Sequence, residues 1–155
     1  MDTQTIEILG RNRLLQDLLI AGLEVALPIR DRGIDLITYV DLVAATSKFA
    51  AIPIQMKAAS TRAFSIDAKY QKISNLVVAY VWGLQASEHA QIFAPTYREV
   101  LDVATAMEWT ETDSRKNGSY STSAPSKKLC GLLEPYRMTP ETWRKKLSKV
   151  SEIAL

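Results

Sequence analysis

The sequence predicts a mixed α/β fold, with a mixed four- to five-stranded sheet flanked by helices. Three observations predict it. Apolar residues recur at strand period, or in short unbroken runs, at several places between residues 24 and 94. Helical patterns stand before these runs and after them. The first three strands are joined by short links, which favours an antiparallel meander, whereas a helix ahead of Leu76–Trp82 permits a parallel crossover.

Taken in order, Thr3 to Ala21 reads as a helix, with Ile6, Leu9, Leu14, Leu18 and Ala21 on one stripe and Gly22 as its stop. Glu24 to Arg30 alternates as a short strand, and Asp31-Arg32-Gly33 is a turn. Ile34 to Val40 is a second strand, rich in branched and aromatic residues. Leu42 to Lys48 reads as a connection. Phe49 to Ala59 is a third strand in which Pro53 marks a bulge or an unpaired position. A short helix follows over Asp67 to Lys72. Leu76-Val77-Val78-Ala79-Tyr80-Val81-Trp82 is apolar on both parities, as suits a strand buried on both faces. Gln91 to Ala94 is a short edge strand. Tyr97 to Met107 is a helix with Thr96 as N-cap and Glu99 at the capping-box position. Thr110 to Pro125 is polar and reads as an exposed loop. Two helices end the chain, Ser126 to Leu133 and Pro140 to Lys149, the second with Thr139 as N-cap.

With 155 residues the chain suits one domain, with a basic helical extension from about residue 115. The single cysteine, Cys130, excludes an intrachain disulfide and a cysteine metal cluster, and fits a reducing cytoplasm. The single histidine, His89, excludes a multi-histidine zinc site within the chain. Met1 to Glu7 is polar and acidic, so no signal peptide is expected, and no run is long enough to span a bilayer. Residues 1–114 carry 10 Lys/Arg against 14 Asp/Glu, whereas residues 115–155 carry 9 against 3. The basic end is either a polyanion-binding region or a solvated helical surface.

The chemistry lies in two strands. Gly33-Ile34-Asp35-Leu36-Ile37 places an acid within an apolar strand, and Ile52-Pro53-Ile54-Gln55-Met56-Lys57 places a Gln and a Lys two apart in the next. Residues two apart share a face of a strand, and adjacent strands lie about 4.8 Å apart, so Asp35 can stand beside Gln55 and Lys57. Polar side chains in apolar strands are costly unless satisfied, and a metal with a phosphate would satisfy them. Asp35 offers the hard anionic oxygen that Mg²⁺ prefers, Gln55 a neutral amide oxygen, and Met56 its carbonyl. Lys57 can orient water and offset charge on a pentavalent phosphorus. The alternative is a buried structural network, or an edge lysine set against aggregation.

The order helix, strand, Gly-Ile-Asp strand, Gln-x-Lys strand, helix, strand resembles the PD-(D/E)XK nuclease superfamily, which includes restriction enzymes and Holliday-junction resolvases. Within it the chain is most similar to the small homing-type endonucleases associated with group I introns. Three stretches carry the resemblance: Arg11-Asn12-Arg13-Leu14-Leu15 with Gly22-Leu23-Glu24-Val25; Gly33 to Ile37 with Ile54 to Ala58; and Lys69-Tyr70-Gln71-Lys72-Ile73 leading into Leu76–Trp82. Gly118 to Thr122 and Leu133 to Met138 also resemble that family. The resemblance implies a restriction-endonuclease-like core and a Mg²⁺- or Mn²⁺-dependent DNA endonuclease, with Asp35, Gln55 and Lys57 catalytic and Asp35, Gln55 and the Met56 carbonyl on the metal. Two positions depart from the pattern. Gln55 stands where the superfamily has Glu or Asp, and Arg11 where resolvase-like members have a helical Glu; Glu7, one turn earlier, is the candidate fourth ligand. Because of Gln55, a catalytically silent nucleic-acid-binding protein on the same fold is the alternative. Double-stranded DNA is the expected partner, with Lys69, Arg144, Lys145 and Lys146 as phosphate contacts or solvated charges. Cutting both strands from one small site requires two protomers, so a homo-oligomer, dimer or tetramer, is expected.

Overall fold

In the computed structural model of the chain, residues 1–30, 32–40 and 49–151 are described; Asp31 and the Leu42–Lys48 connection fall outside them. Helix α1 (Thr3–Ile20) is started by the Asp2 carboxylate, which accepts from the Thr5 N–H. It leads into the antiparallel meander β1 (Leu23–Ala26), β2 (Leu36–Val40) and β3 (Ala51–Ala58). Strand β4 (Phe64–Asp67) and a 3₁₀ turn (Ala68–Lys72) precede β5 (Val77–Trp82), which lies parallel to β3. Then come β6 (Gln91–Phe93), α2 (Tyr97–Ala106), α3 (Asp113–Lys116), β7 (Ser119–Thr122), α4 (Lys127–Leu133), β8 (Arg137–Met138) and α5 (Pro140–Ser151). The main sheet has the order β1-β2-β3-β5-β6-β8, and β4 pairs with β7 in a separate two-stranded ribbon. The mixed α/β class and the parallel crossover are as the sequence predicts.

Each face of the sheet carries a core. On one, Leu14 and Leu18 of α1 and Trp143 and Leu147 of α5 pack on Ile52, Ile54, Val77, Ala79 and Val81. On the other, Val100 and Val103 of α2, Leu129 and Leu133 of α4, and Phe64 and Ile66 of β4 pack on Val78, Tyr80 and Trp82. Every residue of β5 is buried, so its two-sided apolar run is explained by cover on both faces. Full burial of such a side chain contributes about 1.5–3 kcal/mol over leaving it exposed. Helix α1 approaches β3 closely at Gly10, where a Cβ would come 2.6 Å from the Ala58 Cβ.

Four elements differ from expectation. The first strand stops at Ala26, because Pro28 has no N–H for a ladder, and Leu27 and Ile29 are exposed. The Thr110–Pro125 segment is not a plain loop: it contains α3 and β7, and β7 is held by its ladder to β4 and by Tyr120 stacked on Trp109 at 4.2 Å. Strand β4 takes up part of the link before the 3₁₀ turn. Two-residue β8 makes a sixth strand, too short to show a period, and takes the edge position expected of Gln91 to Ala94: β6 lies between β5 and β8. Pro53 behaves as expected. The carbonyls of Ala50 and Ile54 point to β2, so the Pro53 nitrogen faces the other way, where the β5 ladder begins only at Ile54.

Candidate active site

The antiparallel ladder of β2 on β3 ends at Leu36↔Ile54, while β3 runs on to Ala58. Along this last stretch β3 has β5 on one side and, among the described residues, no strand on the other. The notch is filled by side chains. Asp35 anchors it, its N–H donating to the Ile54 carbonyl at 2.9 Å. Its Oδ2 then accepts from the Met56 N–H at 2.6 Å, replacing the strand partner that β2 no longer supplies. Gln55 Nε2 donates to the same Oδ2 at 2.6 Å and to the Met56 carbonyl at 3.0 Å. Those two acceptors select the NH₂ end of the amide for this position. The other end, Gln55 Oε1, is buried and has no hydrogen-bond partner.

The notch opens into a cavity of about 310 Å³, lined by Asp35, Gln55, Met56 and Lys57 with Glu7 of α1 and Ser65 of β4. Lys57 shares the face of Gln55, as strand period requires. Its ammonium donates to the Tyr70 hydroxyl at 3.4 Å and sits 5.3 Å from that ring. Tyr70 is itself buried, and its ring packs against Gly33, where a Cβ would lie 2.9 Å from the ring edge. Gly33 has φ +95°, so both its conformation and its close contact require glycine. The glycine of the Gly-Ile-Asp sequence thus seats the tyrosine that positions Lys57.

The arrangement suits a hard divalent cation. The Asp35 carboxylate and the Met56 carbonyl are oxygen donors that converge on one point, now met by Gln55 Nε2; turning the Gln55 amide over would bring its orphaned, buried Oε1 to join them. Its charge is low, for no group of three His, Cys, Asp or Glu suited to a metal occurs among the described residues. Glu7 lines the cavity, but its carboxylate is paired with Arg11 at 2.8 Å, so the departure at Arg11 bears directly on Glu7.

The structure brings Asp35, Gln55, Met56, Lys57 and Glu7 together and sets Lys69 nearby, exposed, 4.9 Å from the Tyr70 ring and 3.4 Å from Asp67. Tyr70 first and Asp67 next hold the Lys69 ammonium above its ordinary pKa. In the Lys69-Tyr70-Gln71-Lys72 stretch the lysine stands out in sequence and the tyrosine does not, although an aromatic among cations was the available signal. Arg144, Lys145 and Lys146 are elsewhere. Arg144 donates to the Gly22 carbonyl beyond the far end of α1. At 1.5 Å per residue, Gly22 is about 22 Å along the axis from Glu7. Lys145 is exposed. Lys146 is not the surface cation expected: its side chain is 10 % exposed and pairs with Glu99 at 2.7 Å. Burial lowers the Lys146 pKa. Burial by itself would raise Glu99, but the Lys146 hydrogen bond and the Thr96 cap outweigh it and hold the carboxyl below its usual value. Of the remaining candidates, Trp82 and Trp143 are core residues, Cys130 is a half-buried free thiol, and His89 is exposed. No helix among the described residues is long and apolar enough to cross a membrane.

No protein-family model matches the sequence, and no curated protein matches it. Among solved structures, the fold is similar to that of a bacterial homing endonuclease, I-Ssp6803I, with a TM-score of 0.50 over 97% of this chain and 95% of that one. At 14% identity the likeness is one of architecture: the chain has a homing-endonuclease-like fold.

Proposed function

We propose that the chain is a metal-dependent DNA endonuclease of the PD-(D/E)XK type, hydrolysing phosphodiester bonds at the notch beside β3. The observation that carries this reading is the convergence of Asp35 Oδ2, the Gln55 amide and the Met56 carbonyl within 3.0 Å contacts, with Lys57 on the same cavity. The likeness of fold to a homing endonuclease supports it. Mg²⁺ or Mn²⁺ held by Asp35, Gln55 and the Met56 carbonyl would supply Lewis-acid polarisation of the phosphate and a water of lowered pKa. The protein's own contribution is positional. Asp35 is fixed by the Met56 N–H and Gln55, so its carboxylate needs little reorganisation. Lys57, steadied by Tyr70, holds positive charge where negative charge develops on phosphorus. Arg144 and Lys145 lie far enough along α1 to meet phosphates several base pairs away. A homo-oligomer acting in the cytoplasm completes the reading, since each protomer offers one notch and a duplex has two strands.

One observation favours the silent alternative. The Gln55 NH₂ already donates to both Asp35 and the Met56 carbonyl, doing for these oxygens what a cation would do. Incubation of plasmid and linear duplexes with Mg²⁺ or Mn²⁺ separates the readings. The wild type should cut, and Asp35→Asn and Lys57→Ala, checked for folding by circular dichroism, should not. Full cleavage by either folded variant sinks the assignment.

A further inference from the structure

The β4–β7 ribbon has two unlike faces. Its register is Phe64↔Thr122, Ser65↔Ser121, Ile66↔Tyr120 and Asp67↔Ser119. The inner face is fixed to the core: Phe64 and Ile66 are buried, Phe64 stacks on Tyr80 at 4.8 Å, and Tyr120 stacks on Trp109. The Tyr80 hydroxyl also donates to the Ser65 carbonyl at 2.7 Å, which ties the ribbon to β5. By strand alternation the outer face consists of Ser65, Asp67, Ser119 and Ser121, all small. Ser119 and Ser121 are exposed. Ser65 lines the cavity of Asp35, Gln55 and Lys57, so the outer face continues directly from the candidate catalytic notch. The Asp67 carboxylate is held by the Lys69 N–H and ammonium, so the one acid on this face is balanced. Cations flank both ends, exposed Arg62 ahead of β4 and exposed Lys116 ahead of β7, the latter 3.8 Å from the solvent-exposed Glu111 carboxylate.

From this we infer that the ribbon lies in the major groove of duplex DNA beside the cleaved bond, with Ser119 and Ser121 reading base edges and Arg62 and Lys116 on the flanking phosphates. The inference rests on the endonuclease reading above and adds the element that selects sequence. The major groove, about 12 Å wide, admits a two-stranded ribbon. Serine hydroxyls both donate and accept, and short side chains let the backbone approach closely. A ribbon clamped by two aromatic stacks presents them rigidly. Residues two apart on a strand are about 6.8 Å apart, which matches about two base-pair steps of 3.4 Å. Ser119 and Ser121 should therefore govern two positions about two base pairs apart.

The test is selection of bound duplexes from a library with a randomised 30-base-pair segment, using full-length wild type and Ser119→Ala/Ser121→Ala. The wild type should enrich a site. The double variant should bind non-specific duplex within about twofold of wild type with an unchanged salt slope, yet lose about tenfold or more of the discrimination at two positions about two base pairs apart. Ser119→Thr/Ser121→Thr, which keeps the hydroxyls, should retain preference there. Arg62→Ala/Lys116→Ala should instead weaken binding to all sequences, reducing the slope by about 0.9 per contact. A wild type that binds duplexes without preference, or a Ser→Ala variant with preference intact, overturns the ribbon assignment and leaves the nuclease reading standing. A wild type that neither binds nor cuts any duplex overturns both.

Discussion

Gly10→Ala should destabilise the protein, although alanine is the better helix former. Gly10 lies on the buried face of α1, and an added Cβ would come 2.6 Å from the Ala58 Cβ, with Leu84 Cδ1 and Met56 Sδ each at 3.4 Å. The Leu84 and Met56 termini can swing aside, but the Ala58 Cβ is fixed to its strand. Non-bonded carbons settle at about 3.5–4.0 Å, so α1 and β3 must part by about 1 Å. The exchange gains about 1 kcal/mol of helix propensity, and overpacking costs about 1–3 kcal/mol. A net loss of about 1–2 kcal/mol follows once the contacts of Leu14 and Leu18 thin as well. At this chain length that lowers Tm by about 2–8 °C. Ala58→Gly alone should cost about 0.5–1 kcal/mol. The double variant moves the methyl from strand to helix, and a favourable coupling of about 1–2 kcal/mol should bring it near wild type. Urea and thermal unfolding of the four proteins measure this cycle. Because Thr3, Ile6 and Glu7 of α1 line the cavity, the single variant should also lose cleavage that the double variant regains. A Gly10→Ala protein that melts above wild type, or a strictly additive cycle, refutes the reasoning.

Gln55→Glu sets an ionised carboxylate against Asp35 and the Met56 carbonyl, where the amide now donates. Its Tm should fall in EDTA and rise with added Mg²⁺ by more than that of wild type, whereas Gln55→Ala should show no such rise; equal Mg²⁺ responses in all three would remove Gln55 from the ligand set. Lys146→Ala should cost about 1.5–3 kcal/mol through the lost charge-assisted hydrogen bond to Glu99, which keeps only Lys149 at 3.5 Å and the Thr96 N–H, with the salt slope of DNA binding unchanged. Arg144→Ala/Lys145→Ala should lower that slope with little change in Tm, and titrations showing the reverse pattern would return Lys146 to the DNA surface. Glu99 has a depressed folded-state pKa, so its contribution is present above its unfolded value and is lost as pH falls through the folded one. Glu99→Gln should flatten the fall of Tm on the acid side of the usual carboxylate range, and an unaltered acid limb would show that the carboxylate does not carry it.

The fold was legible where burial imposes a period. Leu76–Trp82 is covered on both faces and reads so, and Thr96 with Glu99 forms the capping box that the sequence spells. The ribbon was not legible because β7 is Ser-Tyr-Ser-Thr, with a single large apolar residue, and its partner β4 lies some fifty residues away in sequence. Strand β8 has two residues, and the Lys146 partner is on another helix. At the site, Asp35, Gln55 and Lys57 stood out because strand alternation makes polar residues among apolar ones conspicuous. Tyr70 offered only the signal of an aromatic among cations, because its role comes also from a close approach to Gly33, distant in sequence.

Helix α5, near the end of the chain, places Trp143 and Leu147 in the same core as Leu14 and Leu18 of α1. Helix α1 is translated long before α5, so it can dock on the sheet early but meets Trp143 and Leu147 late. At about 5–20 residues per second, the part of the core that α5 closes stays open for several seconds after α1 is made. A nonsense codon shortly before Trp143 leaves Leu14 and Leu18 on the sheet but without Trp143 and Leu147, an opening in the core that chaperones and proteases can find. If the notch beside β3 cuts DNA, late closure of this core also delays the appearance of a competent nuclease until α5 has been made.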